Sequence, residues 1–351
     1  MVGQSSSFSR LLLGCLILLL LYFLYMDAKL YSRIQNFPLR RNIDNMSVLD
    51  SNSYGSCDFS PLCDVTVKSI MLDHPNHYLF SPMATLFDKI FRIHEIEYIT
   101  PNMISVFHVL IAVASAKCVA SDSLVTRRVG VALFLIRSML DELDGHVARA
   151  RKNIHGEGSE IGSVGFFVDG LCDALGTTAL LIGCLIYLKN NPPRRGYTHL
   201  QSLIPQVMDA TKEVGPGFVY KGKITSKKIF QTLSCIGAQL LLSSTAWNRY
   251  IALYQDLLER RAVTDAQALC QIQAFRSLLM WVVAWLWRIF NPHALINALL
   301  VAVFCDKLWE FLCAIQYVGF LILVSIVCIS EMHVQEVQSF IYKTLTNSTA
   351  V

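Results

Sequence analysis

Charge is what this chain has least of. Asp, Glu, Lys and Arg supply only 16% of its 351 residues, while 54% are hydrophobic and the mean hydropathy is +0.45. A soluble domain carries more charge, so that class is excluded and a polytopic, all-α membrane protein is expected. Internal repeats and low-complexity tracts are also missing, which sets repeat architectures aside. No small-residue cleavage site follows the first apolar run, residues 11–26; Asp27, Lys29 and Arg33 follow it instead. The run therefore reads as an uncleaved signal anchor rather than a signal peptide.

What is present is a series of apolar stretches, at 101–120, 129–143, 161–188, 229–247, 275–290 and 294–329. They predict six or seven spans after the anchor. Pro292 breaks the region between the fifth and sixth, and Cys305-Asp306-Lys307 is either a turn or a buried pair. Residues 83–98 suit an interfacial helix, and 252–273 read as an amphipathic connector. Trp281, Trp285 and Trp287 suit an interfacial belt or core packing.

The net charge of +4 is uninformative as a total, and nucleic acid is not an expected partner; its distribution says more. Residues 189–228 hold eight Lys and Arg against two acids, a net of +6, whereas residues 27–100 hold seven basic and nine acidic residues. The positive-inside rule then puts the basic loop in the cytosol and residues 27–100 in a lumen. Seven cysteines (Cys15, Cys118, Cys172, Cys184, Cys235, Cys313, Cys328) lie in apolar spans and read as small core residues. Cys57 and Cys63 share a polar loop, where a lumenal setting predicts a disulfide. Asn45-Met46-Ser47 is a glycosylation sequon on the same side, with Asn45 the acceptor.

Four carboxylates interrupt this apolar background. Asp141, Asp144, Gly145 and Ala148 recur at i, i+3, i+4 and i+7 and share one helix face; Gly165, Asp169 and Asp173 recur at i+4 on the next helix. Ionisable groups at bilayer depth are costly and functional by default. Four of one sign repel unless cations hold them, which divalent ions do well. The glycines leave room for a ligand, and Arg149 at the rim can hold phosphate oxygens. Together these suggest metal-assisted phosphoryl chemistry. A plainer account, acids pairing with Arg149, Arg151 and Lys152 at a helix end, serves Asp141 and Glu142. It leaves out Asp169 and Asp173, which have no basic neighbour nearby in the sequence.

The same residues resemble the signature of the CDP-alcohol phosphotransferases, D-x2-D-G-x2-A-R, a spacer, then G-x3-D-x3-D. All eight fixed positions are present: Asp141, Asp144, Gly145, Ala148, Arg149, Gly165, Asp169 and Asp173. Thr100-Pro101-Asn102-Met103-Ile104-Ser105 is similar to the family's start of its first core helix. The spacer departs from the pattern: residues 150–164 make fifteen, longer than the family's usual one. The resemblance implies a six-helix core at 83–330, preceded by a cytosolic N-terminus and signal-anchor helix (1–26) and a lumenal region (27–82), and followed by a C-terminal tail (331–351). It implies two divalent cations, Mn2+ or Mg2+, on Asp141, Asp144, Asp169 and Asp173. Asp173 would also act as general base. Gly145, Ala148 and Gly165 would line the CDP pocket, and Arg149 would engage its phosphates.

Counting spans from a lumenal region at 27–100 puts the motif at the lumenal face. With the lengthened spacer and added N-terminal region, the chain is most similar to the insect-type ceramide phosphoethanolamine synthases. That resemblance implies transfer of phosphoethanolamine from CDP-ethanolamine to the primary hydroxyl of ceramide in the Golgi membrane, with membrane lipids as partners, and it allows a homodimer. The alternative is a choline or ethanolamine phosphotransferase acting on diacylglycerol. A cation transporter or lipid-binding pseudoenzyme would use the same acids, but would need neither Arg149 nor the glycines.

Overall fold

The computed structural model describes residues 2–36, 60–62, 65–151, 164–193, 224–262 and 264–348. Asn45, Cys57 and Cys63, most of the long spacer, and the basic loop at 194–223 lie outside the described residues. The described residues form helices and no strand. In chain order these are α1 (Val2–Gln35), α2 (Val67–Met71), a π-turn (Asn76–Phe80), α3 (Ser81–Phe91), α4 (Pro101–Val119), α5 (Leu124–Arg151), α6 (Val164–Asn190), α7 (Ser226–Leu258), α8 (Asp265–Arg276), α9 (Leu278–Phe290), α10 (Pro292–Phe304) and α11 (Leu308–Ser348).

The helix starts follow from local chemistry. Thr100 and Asn291 each accept a hydrogen bond from a backbone N–H of the first turn, and a proline stands at the first helical position of α4 and α10. Among the described residues, five helices are long and apolar enough to cross a membrane: α1, α4, α6, α7 and α11. Helices α8 and α9, bent by 53° at their junction, make a sixth if counted as one span.

Several expectations change. The stretch at 129–143 lies in α5, whose 28 residues are long enough to span but are not apolar. Its charges turn inward, with Arg127 and Asp144 each 4% exposed and Arg137 2%. The run at 294–329 is split at Cys305–Lys307 by a turn in which Asp306 adopts φ 58°. The turn is half-exposed rather than a buried pair: Asp306 takes Arg127 at 2.6 Å, and Lys307 takes Glu310 at 3.2 Å. Residues 252–273 are no separate connector, because α7 continues to Leu258 and α8 starts at Asp265. Residues 83–98 contain most of α3, with Met83, Leu86, Ile90 and Phe91 exposed on its outer face. Among the cysteines, Cys172 and Cys184 are buried as expected, whereas Cys15, Cys313 and Cys328 are exposed. An apolar span facing lipid has no need to bury its small residues.

The C-terminal end of the N-terminal helix, at Asp27, Leu30 and Ile34, packs against the body, while residues 11–25 are largely exposed. Asp27 of α1, 5% exposed, accepts hydrogen bonds from Tyr78 Oη at 2.7 Å and Trp285 Nε1 at 2.9 Å; His74 Nε2 lies 2.8 Å away and Arg288 3.4 Å. Trp281 packs at a tilt against Tyr31 of α1, and Trp287 is fully buried with its Nε1 donating to Ser330. The tryptophans therefore pack α9 rather than forming a belt. His333, which has no evident partner in the sequence, meets Tyr254 Oη at 2.8 Å.

Candidate active site

Helix α4 approaches both α5 and α6 unusually closely. A Cβ added at Gly183 of α6 would stand 2.5 Å from the Ala116 carbonyl oxygen of α4. One at Gly130 of α5 would stand 3.0 Å from the Ser115 carbonyl oxygen, and the Ser115 hydroxyl donates to the Gly130 carbonyl at 2.7 Å. Small residues at such crossings let backbones touch, and longer side chains are then forced to converge further along the helices.

At that convergence, ligand atoms of His108 (α4), Asp141 (α5), Asp169 and Asp173 (α6) all lie within 4.8 Å of one another. His108 is fully buried, with Nε2 3.5 Å from Asp141 and 3.8 Å from Asp144. Both ring nitrogens of His108, one oxygen of Asp141 and one of Asp169 are buried and make no hydrogen bond. Buried polar atoms left unsatisfied in this way are costly, and a cation supplies what they lack. Three carboxylates and one imidazole are a donor set that suits a divalent ion. Asp144 stands slightly apart, accepting from Ser105 Oγ at 2.6 Å.

Arg137 completes the cluster. Its guanidinium is 2% exposed, pairs with Asp173, and lies 3.7 Å from Asp141 one helical turn away. Asp173 therefore does have a basic partner, supplied by the neighbouring helix, contrary to the sequence impression. Arg151 takes no part: it donates to the carbonyls of His94, Ile96 and Ile99 and ties α5 to the segment after α3.

The cluster opens into a cavity of about 720 Å³. Asp141, Asp144, Gly145, Arg149, Asp169 and Asp173 all line it; Ala148 and Gly165 are not among its lining residues, although they belong to the motif. The Arg149 guanidinium lies over Gly145, 3.1 Å from where a Cβ would be. From beyond the motif, Lys68, Asn248, Arg249 and His293 also line the cavity. Its lining also includes apolar side chains, among them Leu181, Leu240 and Leu241.

Four of these participants escaped sequence reasoning. Arg137 stands four residues before Asp141, and Ser105 and His108 are three apart near the start of α4, so helical spacing could have flagged them. For Lys68, 73 residues before Asp141, no local signal exists.

Comparison with known proteins places the whole chain in one family. No solved structure matches the chain. A protein of Drosophila melanogaster named ceramide phosphoethanolamine synthase is 46% identical over 395 residues, covering 100% of this chain and 98% of its own length. A family model described as ceramide phosphoethanolamine synthase matches residues 1–344, well beyond the eight motif positions. With a full-length relative and a match spanning nearly every helix, the chain belongs to the ceramide phosphoethanolamine synthase family.

Proposed function

We propose that this protein transfers phosphoethanolamine from CDP-ethanolamine to the primary hydroxyl of ceramide, as a CDP-alcohol phosphotransferase. The observation that carries the reading is one cavity that joins the four motif carboxylates and Arg149 to an apolar wall within a membrane-crossing helical body.

In this reading Asp141, Asp144, Asp169 and Asp173 hold two divalent ions, Mn2+ or Mg2+, and His108 joins the set. Such ions supply Lewis-acid polarisation of the donor's diphosphate and neutralise charge on departing CMP. The chain's own groups do the rest. Arg149 binds the diphosphate, and Gly145 leaves the backbone open to the nucleotide. Ala148 and Gly165 complete the motif that the family resemblance assigns to the CDP pocket, although neither lines the cavity here. Arg137 orients the Asp173 carboxylate. The ceramide hydroxyl oxygen attacks the β-phosphorus, the bond from that phosphorus to the bridging oxygen of CMP breaks, and the hydroxyl proton passes to Asp173. Leu181, Leu240 and Leu241 offer an apolar surface to the acceptor's tails.

The basic segment at 189–228 supports a cytosolic position for that loop and hence a lumenal active site in a Golgi membrane. A lumenal Cys57–Cys63 disulfide and glycosylation at Asn45 belong to the same picture. Purified protein given CDP-ethanolamine, ceramide and Mn2+ or Mg2+ should release CMP and form ceramide phosphoethanolamine, and Asp173→Ala should abolish both. Absence of CMP release would sink the proposal. Preference for diacylglycerol over ceramide would replace it with the glycerolipid phosphotransferase reading.

A further inference from the structure

We propose that Lys68, supplied by the segment before the helical core, binds the diphosphate of the nucleotide donor. The inference rests on the transferase reading for the identity of the ligand and on geometry for the site. Lys68 lines the cavity that holds the motif carboxylates, and its ammonium interacts electrostatically with Asp169. It makes no hydrogen bond or ion pair among the described residues.

Two of the other cavity cations are already engaged by acids. Arg137 is engaged by Asp173 and Asp141, and Arg249 pairs with Glu331 at 3.0 Å. Arg149 lies back over Gly145 on one wall. An ammonium without a hydrogen-bonding partner in a partly buried cavity is poised for an anion, because pairing recovers what desolvation costs.

The carrier of Lys68 is held rigidly. Helix α2 is only five residues long, yet Thr66 and Ser69 form a reciprocal capping box at its start. Glu259 accepts from the Val67 backbone N–H at 2.6 Å. At the other end, the Met71 carbonyl accepts from Trp247 Nε1 at 3.0 Å and from Asn291 Nδ2 at 3.3 Å. Contacts from α7, α9 and the α7–α8 turn thus fix a segment that would otherwise be too short to persist. Preorganisation of this kind is expected of a ligand-binding residue and costs more than a surface lysine needs.

The test uses the purified full-length protein and titration calorimetry with CDP in the presence of Mn2+, with cytidine as a ligand lacking phosphate. Lys68→Met should weaken CDP binding by about tenfold to a hundredfold and leave cytidine binding unchanged, and Lys68→Arg should restore most of the loss. In turnover, the KM for CDP-ethanolamine should rise more than kcat falls. If Lys68→Met does not fold, amine acetylation of the wild type answers instead: CDP should shield Lys68 from the reagent. Equal CDP affinity in wild type and a folded Lys68→Met, or no shielding, overturns the proposal and leaves Lys68 a counter-ion to Asp169. CDP binding that depends on Lys68 without CMP release from CDP-ethanolamine and ceramide would uphold this site and sink the transferase reading. A wild type that binds no CDP overturns both.

Discussion

Arg137 of α5 and Asp173 of α6 form an ion pair at the centre of the acidic cluster, with the guanidinium 2% exposed. One buried cation thus partly offsets four carboxylates contributed by two helices. Replacing one member of a buried pair is far more damaging than replacing both, because the survivor keeps its desolvation penalty. Arg137→Met should destabilise the protein by about 3–5 kcal/mol in metal-free detergent solution. Mn2+ should raise the melting temperature of this variant more than that of wild type, since the ion replaces the lost charge. Equal stability without metal would show that the pair contributes little.

His108 enters the metal question from a helix outside the carboxylate motif. Both its ring nitrogens are buried without a hydrogen bond, and it stands within 4.8 Å of three carboxylates. His108→Ala should weaken Mn2+ binding by at least about tenfold, measured by calorimetry or by the spin-resonance signal of free Mn2+. Unchanged affinity would confine the ligand set to the aspartates.

Asp27 joins the C-terminal end of the N-terminal helix to the helical body. Asp27→Ala removes the acceptor for Tyr78 and Trp285 and strands the fully buried Arg288. A loss of about 3–5 kcal/mol is expected, with Asp27→Asn milder because the shape is kept. Thermal unfolding of the two variants beside wild type measures this, and equal melting temperatures for all three would refute it.

Close helix contact can be tested with two glycines. Gly183→Ala would press a methyl against the Ala116 backbone, where nothing flexible can yield, and should cost about 1–3 kcal/mol. Gly14→Ala in α1 meets nothing within 4 Å and should be neutral or stabilise by up to about 1 kcal/mol. The contrast in melting temperature is the measurement; two equal responses would contradict the packing at the α4–α6 crossing.

Much of this was legible in the order of the residues. Apolar runs of span length can only be helices in lipid, because every backbone polar group must be satisfied within the segment. The spacing of Asp141, Asp144, Asp169 and Asp173 was likewise readable, since helical periodicity places i+3 and i+4 residues on one face. Less legible was α5, whose charges depress its hydropathy although they point inward, and the run at 294–329, where the break at Asp306 is a short turn in an otherwise apolar stretch.

The spacing of the motif, the family resemblance and the all-helical membrane character are therefore legible in the chain as written, each carried by local spacing or composition. Which partners face those carboxylates is not. Arg137 meets Asp173 and His108 meets Asp141 between helices, Lys68 faces Asp169 across the cavity, and the helix approach depends on contacts such as Gly183 against Ala116. Electrostatic partnership falls off over a few ångströms, whereas sequence separation here reaches about a hundred residues, so only the packed helices could decide it.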